Sequence, residues 1–191
     1  PALEGRADAI GEMMRDQALV ASGLLNPQQF GHGVYPPIPS GGYTPASGGG
    51  GTRWATPKAG DPQRYRRAIY TYIKRSSPYP SFASFDAPSR ENCNKRRIVS
   101  NTPIAALAAL NDPVFAECIE AFANRLNKMP DPSIDEKMAQ GYRIATSDRI
   151  TPDQLTELKA LYQRVEKLES PEAAMKAIAS VLLNLDAALT R

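Results

Sequence analysis

The sequence predicts a mainly α protein, an irregular helical domain with a long Gly/Pro-rich loop and little or no β structure. Three observations predict it. Apolar residues recur at helical spacing in most segments that have any period, several of those segments open on a capping residue followed by proline, and the turn formers gather in one stretch. A chain of 191 residues can bury a core without disulfides or metals, so residues 1–191 are read as a single domain.

The elements follow in order. A first helix is expected to start at Ala7 or Asp8, to turn Ile10, Met13, Met14, Gln17 and Ala21 to one side, and to end at Ser22-Gly23, where glycine accepts positive φ. Arg67 to Arg75 reads two ways, because RAIYTYIKR alternates like a strand yet places Ile69, Tyr72 and Ile73 on one helical face; with no partner strand in view, a helix is expected. Asp86 or Ala87 caps a further helix with Pro88 in its first turn and Glu91 favoured by the helix dipole. Thr102-Pro103 and Asp112-Pro113 are two more starts, and Phe115, Cys118, Ile119, Phe122 and Leu126 mark a buried face. Ser133 opens the next helix through Ile134, Met138 and Tyr142. Thr151 to Gln154 is a capping box before the stripe Leu155, Leu158, Tyr162, Val165 and Leu168, and Ser170-Pro171 begins the last stripe, Ala174, Ile178, Val181, Leu182, Leu185 and Leu189.

The seventeen prolines and thirteen glycines are unevenly spread, clustering between Leu24 and Pro62, so residues 36–60 are expected to form a flexible loop without regular structure. Trp54, the single tryptophan, is the expected exception, docking locally in an apolar pocket. No apolar run reaches the length needed to span a bilayer, and the sequence does not open on a signal-peptide pattern at Pro1, as expected of a fragment of a longer protein.

Charge is the sharpest feature. Between Arg64 and Arg97 stand nine basic residues against two acids, a local +7 in a chain that totals +3, so the remainder carries −4. A positive field concentrated in this way attracts a polyanion or an acidic surface. The plain structural alternative is a solvated basic face, or arginines tying loops down through carboxylates and backbone carbonyls.

The same stretch carries a resemblance. RRAIYTYIKRSSPYPSFASFDAPSRENCNKRR followed by SNTPIAALAALNDPVF resembles a planctomycete-type domain family of unknown function, domain of unknown function fifteen fifty-three or PSD-one. The matching positions are the pairs Arg66-Arg67 and Arg96-Arg97, Tyr70 to Tyr72, Phe85 to Cys93, Asn101 to Pro103 and Leu110 to Pro113. Arg15 to Pro27 and Ser180 to Arg191 resemble its opening and closing helices. The chain departs from the family at Val99-Ser100 and at Ile104 to Leu107, where an arginine and a glutamine are usual; it is short near Glu169 to Pro171, and Gly48 to Gly51 fall where the family varies. The resemblance implies a fragment of a larger exported, cytochrome-associated protein of the periplasm or cell envelope. Any haem would lie in an upstream domain, and the implied partners are other domains of the same full-length protein.

Catalytic templates find little support. His32 is the only histidine and sits in the sequence GHGV, where nothing promises to hold a general base. The chain has no metal-ligand spacing, P-loop, dinucleotide fingerprint, nucleophile elbow or haem-attachment motif, so neither catalytic nor metal residues are assigned and no cofactor is expected in this chain. Cys93 and Cys118 could pair in an exported protein, while the helical spacing around Cys118 points instead to an inert packed thiol.

Two functions of different class follow. The first is a noncatalytic binding or assembly domain holding an acidic partner, an anionic polysaccharide or a neighbouring domain through Arg66, Arg67, Lys74, Arg75, Arg90, Arg96 and Arg97 with Tyr70, Tyr72 and Tyr79, since arginine forks suit carboxylate or sulfate and tyrosines stack on sugar faces; Asp86 is assigned to the same binding region. Nucleic acid fits the charge physically, but export removes it as a partner. The second is part of an enzyme acting on a glycan, its active site completed by upstream domains, with Asp86, Glu91 and Arg90 as contributors; the many neighbouring arginines would hold both carboxylates ionised. Phe85, Pro88, Asn101, Thr102, Pro103, Asp112 and Pro113 are assigned structural roles, with the 85–103 block as a hub pinned at both ends.

Overall fold

A computed structural model describes residues 11–39, 54–75, 78–88, 102–130 and 133–189. Its helices are α1 (Gly11–Ser22), α2 (Pro80–Ser84), α3 (Pro103–Asn111), α4 (Pro113–Asn127), α5 (Ile134–Thr146), α6 (Pro152–Leu168), α7 (Pro171–Leu183) and α8 (Asp186–Leu189), with two 3-10 turns at Pro62–Tyr65 and Ala68–Tyr70. Helix accounts for 64% of the described residues and they form no strand or sheet, so the protein is mainly α as its sequence predicts.

The helix starts are set by local chemistry. Thr102, Asp112, Thr151 and Ser170 each accept a hydrogen bond from a backbone N–H of the first turn, and each is followed by proline, whose missing N–H is not required there. Ser133 and Thr151 form complete capping boxes with Glu136 and Gln154. Gly23, at φ 79°, closes α1, as the sequence predicts.

α4 and α7 form the centre, with α1 packed on α4 and both α5 and α6 on α7. The predicted face of α4 is inside: Phe122, Cys118 and Leu126 are fully buried, with Phe115 and Ile119 beside them. From α7 come Ala174, Met175, Ile178, Ala179 and Leu182, and from α5 Met138 and Ala145. Other stripes are narrower than the sequence suggests. In α6 only Leu158 and Tyr162 are buried while Leu168 is 78% exposed, and in α1 Met13 faces out while Met14, Ala18, Leu19 and Ala21 face in.

Two expectations are corrected. Arg67 to Arg75 is not an α-helix: after the 3-10 turn at Ala68–Tyr70 the backbone is extended at Thr71 and forms no helix through Lys74, and it finds a partner in the loop after α1. Asn26 pairs with Arg66 and Val34 with Thr71 as isolated parallel bridges, the second closed by Val34 N donating to Tyr70 O and Tyr72 N donating to Val34 O, each at 2.8 Å. Nor does Asp86 itself have the backbone of an N-cap, while the helix expected beyond Pro88, with Ala87 as its other cap, falls outside the described residues. Asp86 has φ 57°, the left-handed conformation found beyond a helix exit rather than the extended one of an N-cap, and it follows α2, a helix the sequence does not announce.

Within the predicted loop, residues 36–39 and 54–60 contain no helix or strand, and residues 40–53 lie outside the described part. Trp54 is docked as expected. Its Nε1 donates to Pro36 O at 2.7 Å, and its ring stacks on Tyr79 with centroids 5.8 Å apart and planes 8° from parallel.

Candidate functional site

The basic stretch divides into cations that build the fold and cations that face outward. Arg15, Arg64 and Arg66 belong to the first group, at 3%, 9% and 1% exposure. Burying a guanidinium is tolerable only when most of its donors are taken up, and here they are met chiefly by backbone carbonyls, with Arg15 Nε and Arg66 Nε alone left without a partner. Arg66 donates to His32 O at 3.0 Å, Phe30 O at 2.6 Å and Gln28 O at 3.3 Å, with its guanidinium 3.8 Å from the centre of the Tyr70 ring. The left-handed backbone at Phe30 (φ 60°) and Gly31 (φ 95°) curls the loop around this one side chain. His32 therefore contributes its carbonyl to the arrangement.

Arg15 locks the same region from below. It donates to Arg66 O at 2.7 Å and Arg64 O at 2.8 Å, while neighbouring Asp16 accepts from Ala68 N at 2.6 Å. Arg64 in turn binds Glu117 of α4 through both side-chain oxygens and donates to Pro57 O at 3.0 Å, fastening the end of the Gly/Pro-rich segment to the core. The paired Glu117 carboxylate raises the Arg64 pKa further, so this guanidinium stays charged.

The second group comprises Arg67, Lys74 and Arg75. Arg67 is exposed, with Nε 3.3 Å from Asp16; Arg75 is also exposed and Lys74 is half-buried. Ile69 (74% exposed) and Ile73 (48%) stand between them, and Tyr72 lies half-buried against Tyr35 with ring centroids 5.0 Å apart. The result is an edge of mixed cationic and apolar character on an extended segment.

Beside this edge a cleft of about 320 Å³ opens between α1, the 67–73 segment and α2. Its walls are mostly apolar, from Met13, Ile69, Ile73, Phe82 and Ala87, with Thr71 in the wall and Asp16 and Arg67 among its polar residues. Tyr79, 3% exposed, lines it too; burial pushes its phenol well above the ordinary value, and its hydroxyl donates to Pro37 O at 3.1 Å.

Asp112 links the cleft wall to the core. One carboxylate oxygen caps α4 at Val114 N (2.7 Å) and Phe115 N (3.3 Å), while the other accepts from Ser81 Oγ of α2. Burial at 2% exposure raises its pKa, against the opposing effect of those hydrogen bonds.

The structure thus places Arg66 and Tyr70 inside a loop anchor, and Arg67, Tyr72, Lys74 and Arg75 along the outward edge. Phe85 is buried, its ring 6.0 Å from that of Phe115; Asp86 is half-buried, and Pro88 lines the cleft. Thr102-Pro103 and Asp112-Pro113 cap α3 and α4. Arg90, Glu91, Cys93, Arg96, Arg97 and Asn101 lie outside the described residues, as does most of the proposed 85–103 hub. Cys118 is a free, buried thiol whose pKa burial pushes up to about 12. Sequence reasoning missed Arg15, Glu117 and Thr71. Arg15 left a signal, since a charge beside Met14 and four residues before Leu19 falls on the side of α1 that the core requires.

Among the described residues no group of three His, Cys, Asp or Glu side chains is placed to hold a metal ion, and no helix is long and apolar enough to cross a membrane. The fold and the buried arginine anchor define a mainly α domain organised around its own basic segment. Residues 6–162 match the family model PSD1, Protein of unknown function (DUF1553), which covers more than half of the chain, and the protein belongs to that family. No curated protein and no solved structure shows a significant match to it.

Proposed function

We propose that this is a noncatalytic binding or assembly domain whose outward basic edge holds an acidic partner, with an anionic polysaccharide as the favoured ligand. One observation carries the reading: the arginines divide. Arg15, Arg64 and Arg66 are buried and bonded to the protein itself, while Arg67 and Arg75 face solvent beside Tyr72, Ile69 and Ile73. Guanidinium forks recognise sulfate or carboxylate, and aromatic and apolar side chains accept the hydrophobic face of a sugar ring. Arg67 is itself 59% exposed and its contact with the more buried Asp16 is a single one at 3.3 Å, so a polyanion can compete for that arginine.

The assembly half of the reading draws on α3. Its Ala105 and Ala109 face the core, yet Ile104, Leu107 and Leu110 on its outer side are 66%, 61% and 53% exposed. A helix apolar on both sides is normally covered. The cover we assign is another domain of a longer exported polypeptide in the periplasm or envelope, where any associated haem would also reside.

The test is retention on immobilised sulfated dextran compared with uncharged dextran across a salt gradient. The reading expects retention on the sulfated matrix alone, released as salt screens the contacts. Equal behaviour on both matrices would reject it.

A further inference from the structure

We propose that the cleft between α1, the 67–73 segment and α2 is a site for a small uncharged ring compound carrying one hydrogen-bonding group, an aryl alcohol or phenol in chemical class. The proposal goes beyond the polyanion reading and concerns a different surface chemistry.

Size comes first. A volume of about 320 Å³ lies at the low end of ligand pockets, which run from roughly 300 to 1,000 Å³, and so suits one or two rings rather than a chain of sugars. The walls decide polarity. Ile69, Ile73, Phe82 and Ala87 contribute apolar surface, and the edge-to-face pair Tyr79–Phe82, with centroids 5.1 Å apart and planes at 88°, gives a rigid aromatic corner against which a flat ring can pack. A polyhydroxylated ligand would lose water from several hydroxyls against these walls and recover few hydrogen bonds.

Thr71 supplies the second, independent observation. It lines the cleft, is 4% exposed, and its hydroxyl has no hydrogen-bond partner. Buried hydroxyls are normally satisfied, and this one has no partner in the protein, its oxygen being closed off from solvent in the conformation it holds, so that only a turned side chain would present it to the cleft. Where it stands this hydroxyl makes no bond, so a rotation about χ1 that turns it toward a ligand breaks none. A hydroxyl is both donor and acceptor, which matches a phenol in either direction. Charge disfavours a small anion in the cleft: Glu12 and Asp16 place two carboxylates in its lining beside the one guanidinium of Arg67, and Asp16 already accepts from Arg67 and from Ala68 N.

The test uses the intact chain and two probes of one shape, 4-ethylphenol and 4-ethyltoluene. Trp54, the only tryptophan, stacks on the cleft residue Tyr79 and reports occupancy through its fluorescence, excited selectively. Both probes should saturate, the phenol more tightly. Thr71→Val should weaken 4-ethylphenol about fivefold, leave 4-ethyltoluene unchanged, and not lower the melting temperature, because it removes an unsatisfied hydroxyl. Ala83→Phe, at an exposed position on the cleft wall, keeps Trp54 as the single reporter and should abolish binding of both while retention on sulfated dextran persists, which separates this site from the polyanion edge. Failure of both probes to saturate, or an equal loss of both in Thr71→Val, overturns the proposal.

Discussion

Arg15 donates to the backbone carbonyl of Arg66 at 2.7 Å, and Arg66 in turn gathers the carbonyls of Gln28, Phe30 and His32 around its own guanidinium. One buried arginine thus holds the backbone of another, and together they fix the segment that presents Arg67 and the cleft. Arg15→Ala should lower stability by about 3 kcal/mol, because hydrogen bonds from a charged donor are lost and two carbonyls are left buried. Arg15→Lys should recover little, since a single ammonium lacks the fork that reaches both Arg64 O and Arg66 O. Denaturant melts of both variants check this.

Asp112 should behave as a buried carboxyl whose folded pKa lies above its ordinary value because burial disfavours its charge. A raised folded pKa means that its contribution to stability is full below the unfolded carboxylate range, near 4, and is lost as pH rises through the folded value. Asp112→Asn keeps an oxygen for Val114 N and removes that titration, so it should melt near the parent and show a flatter pH profile over the same range. Asp112→Ala should instead cost about 1–2 kcal/mol through loss of the cap. Thermal melts from acid to neutral pH distinguish the two.

Cys118 should be inert in the folded protein. Fully buried, with its pKa pushed up to about 12, it offers neither access nor thiolate at neutral pH. A thiol reagent should label Cys118 only at the rate of unfolding and promptly in denaturant, as peptide mapping by mass spectrometry would show.

Gly11 should not tolerate a side chain. A Cβ there would stand 2.8 Å from Phe85 Cβ, an atom close to the backbone that cannot swing aside. Gly11→Ala should therefore destabilise by about 1–3 kcal/mol despite alanine's better helix propensity. Equilibrium unfolding measures it, and a stabilised variant would show that α1 does not pack on Phe85 so closely.

Most of the helical frame was legible because its signals are local. Thr102, Asp112, Ser133, Thr151 and Ser170 name their helices by residue type and spacing, and the buried face of α4 follows from its apolar period. The site was less legible, for a physical reason. Arg66 and Arg67 are neighbours of identical type, yet one is buried against Tyr70 and the other is exposed, and what separates them is contact with residues 28–32 and with α1, far away in sequence. The extended backbone at Thr71 was hidden in the same way, since its pairing partner Val34 belongs to a loop with no strand pattern of its own. Thr71 carried no signal at all, because an unsatisfied hydroxyl is a property of its surroundings.

The division of the arginines is tested most directly by reading melting temperature and retention on sulfated dextran together in two variants, Arg66→Gln and the double change Arg67→Gln with Arg75→Gln. The account predicts that Arg66→Gln melts several degrees lower while its folded fraction is retained like the parent, and that the double variant melts like the parent but elutes at clearly lower salt. Weakened retention of folded Arg66→Gln, together with unchanged retention of the double variant, would contradict it.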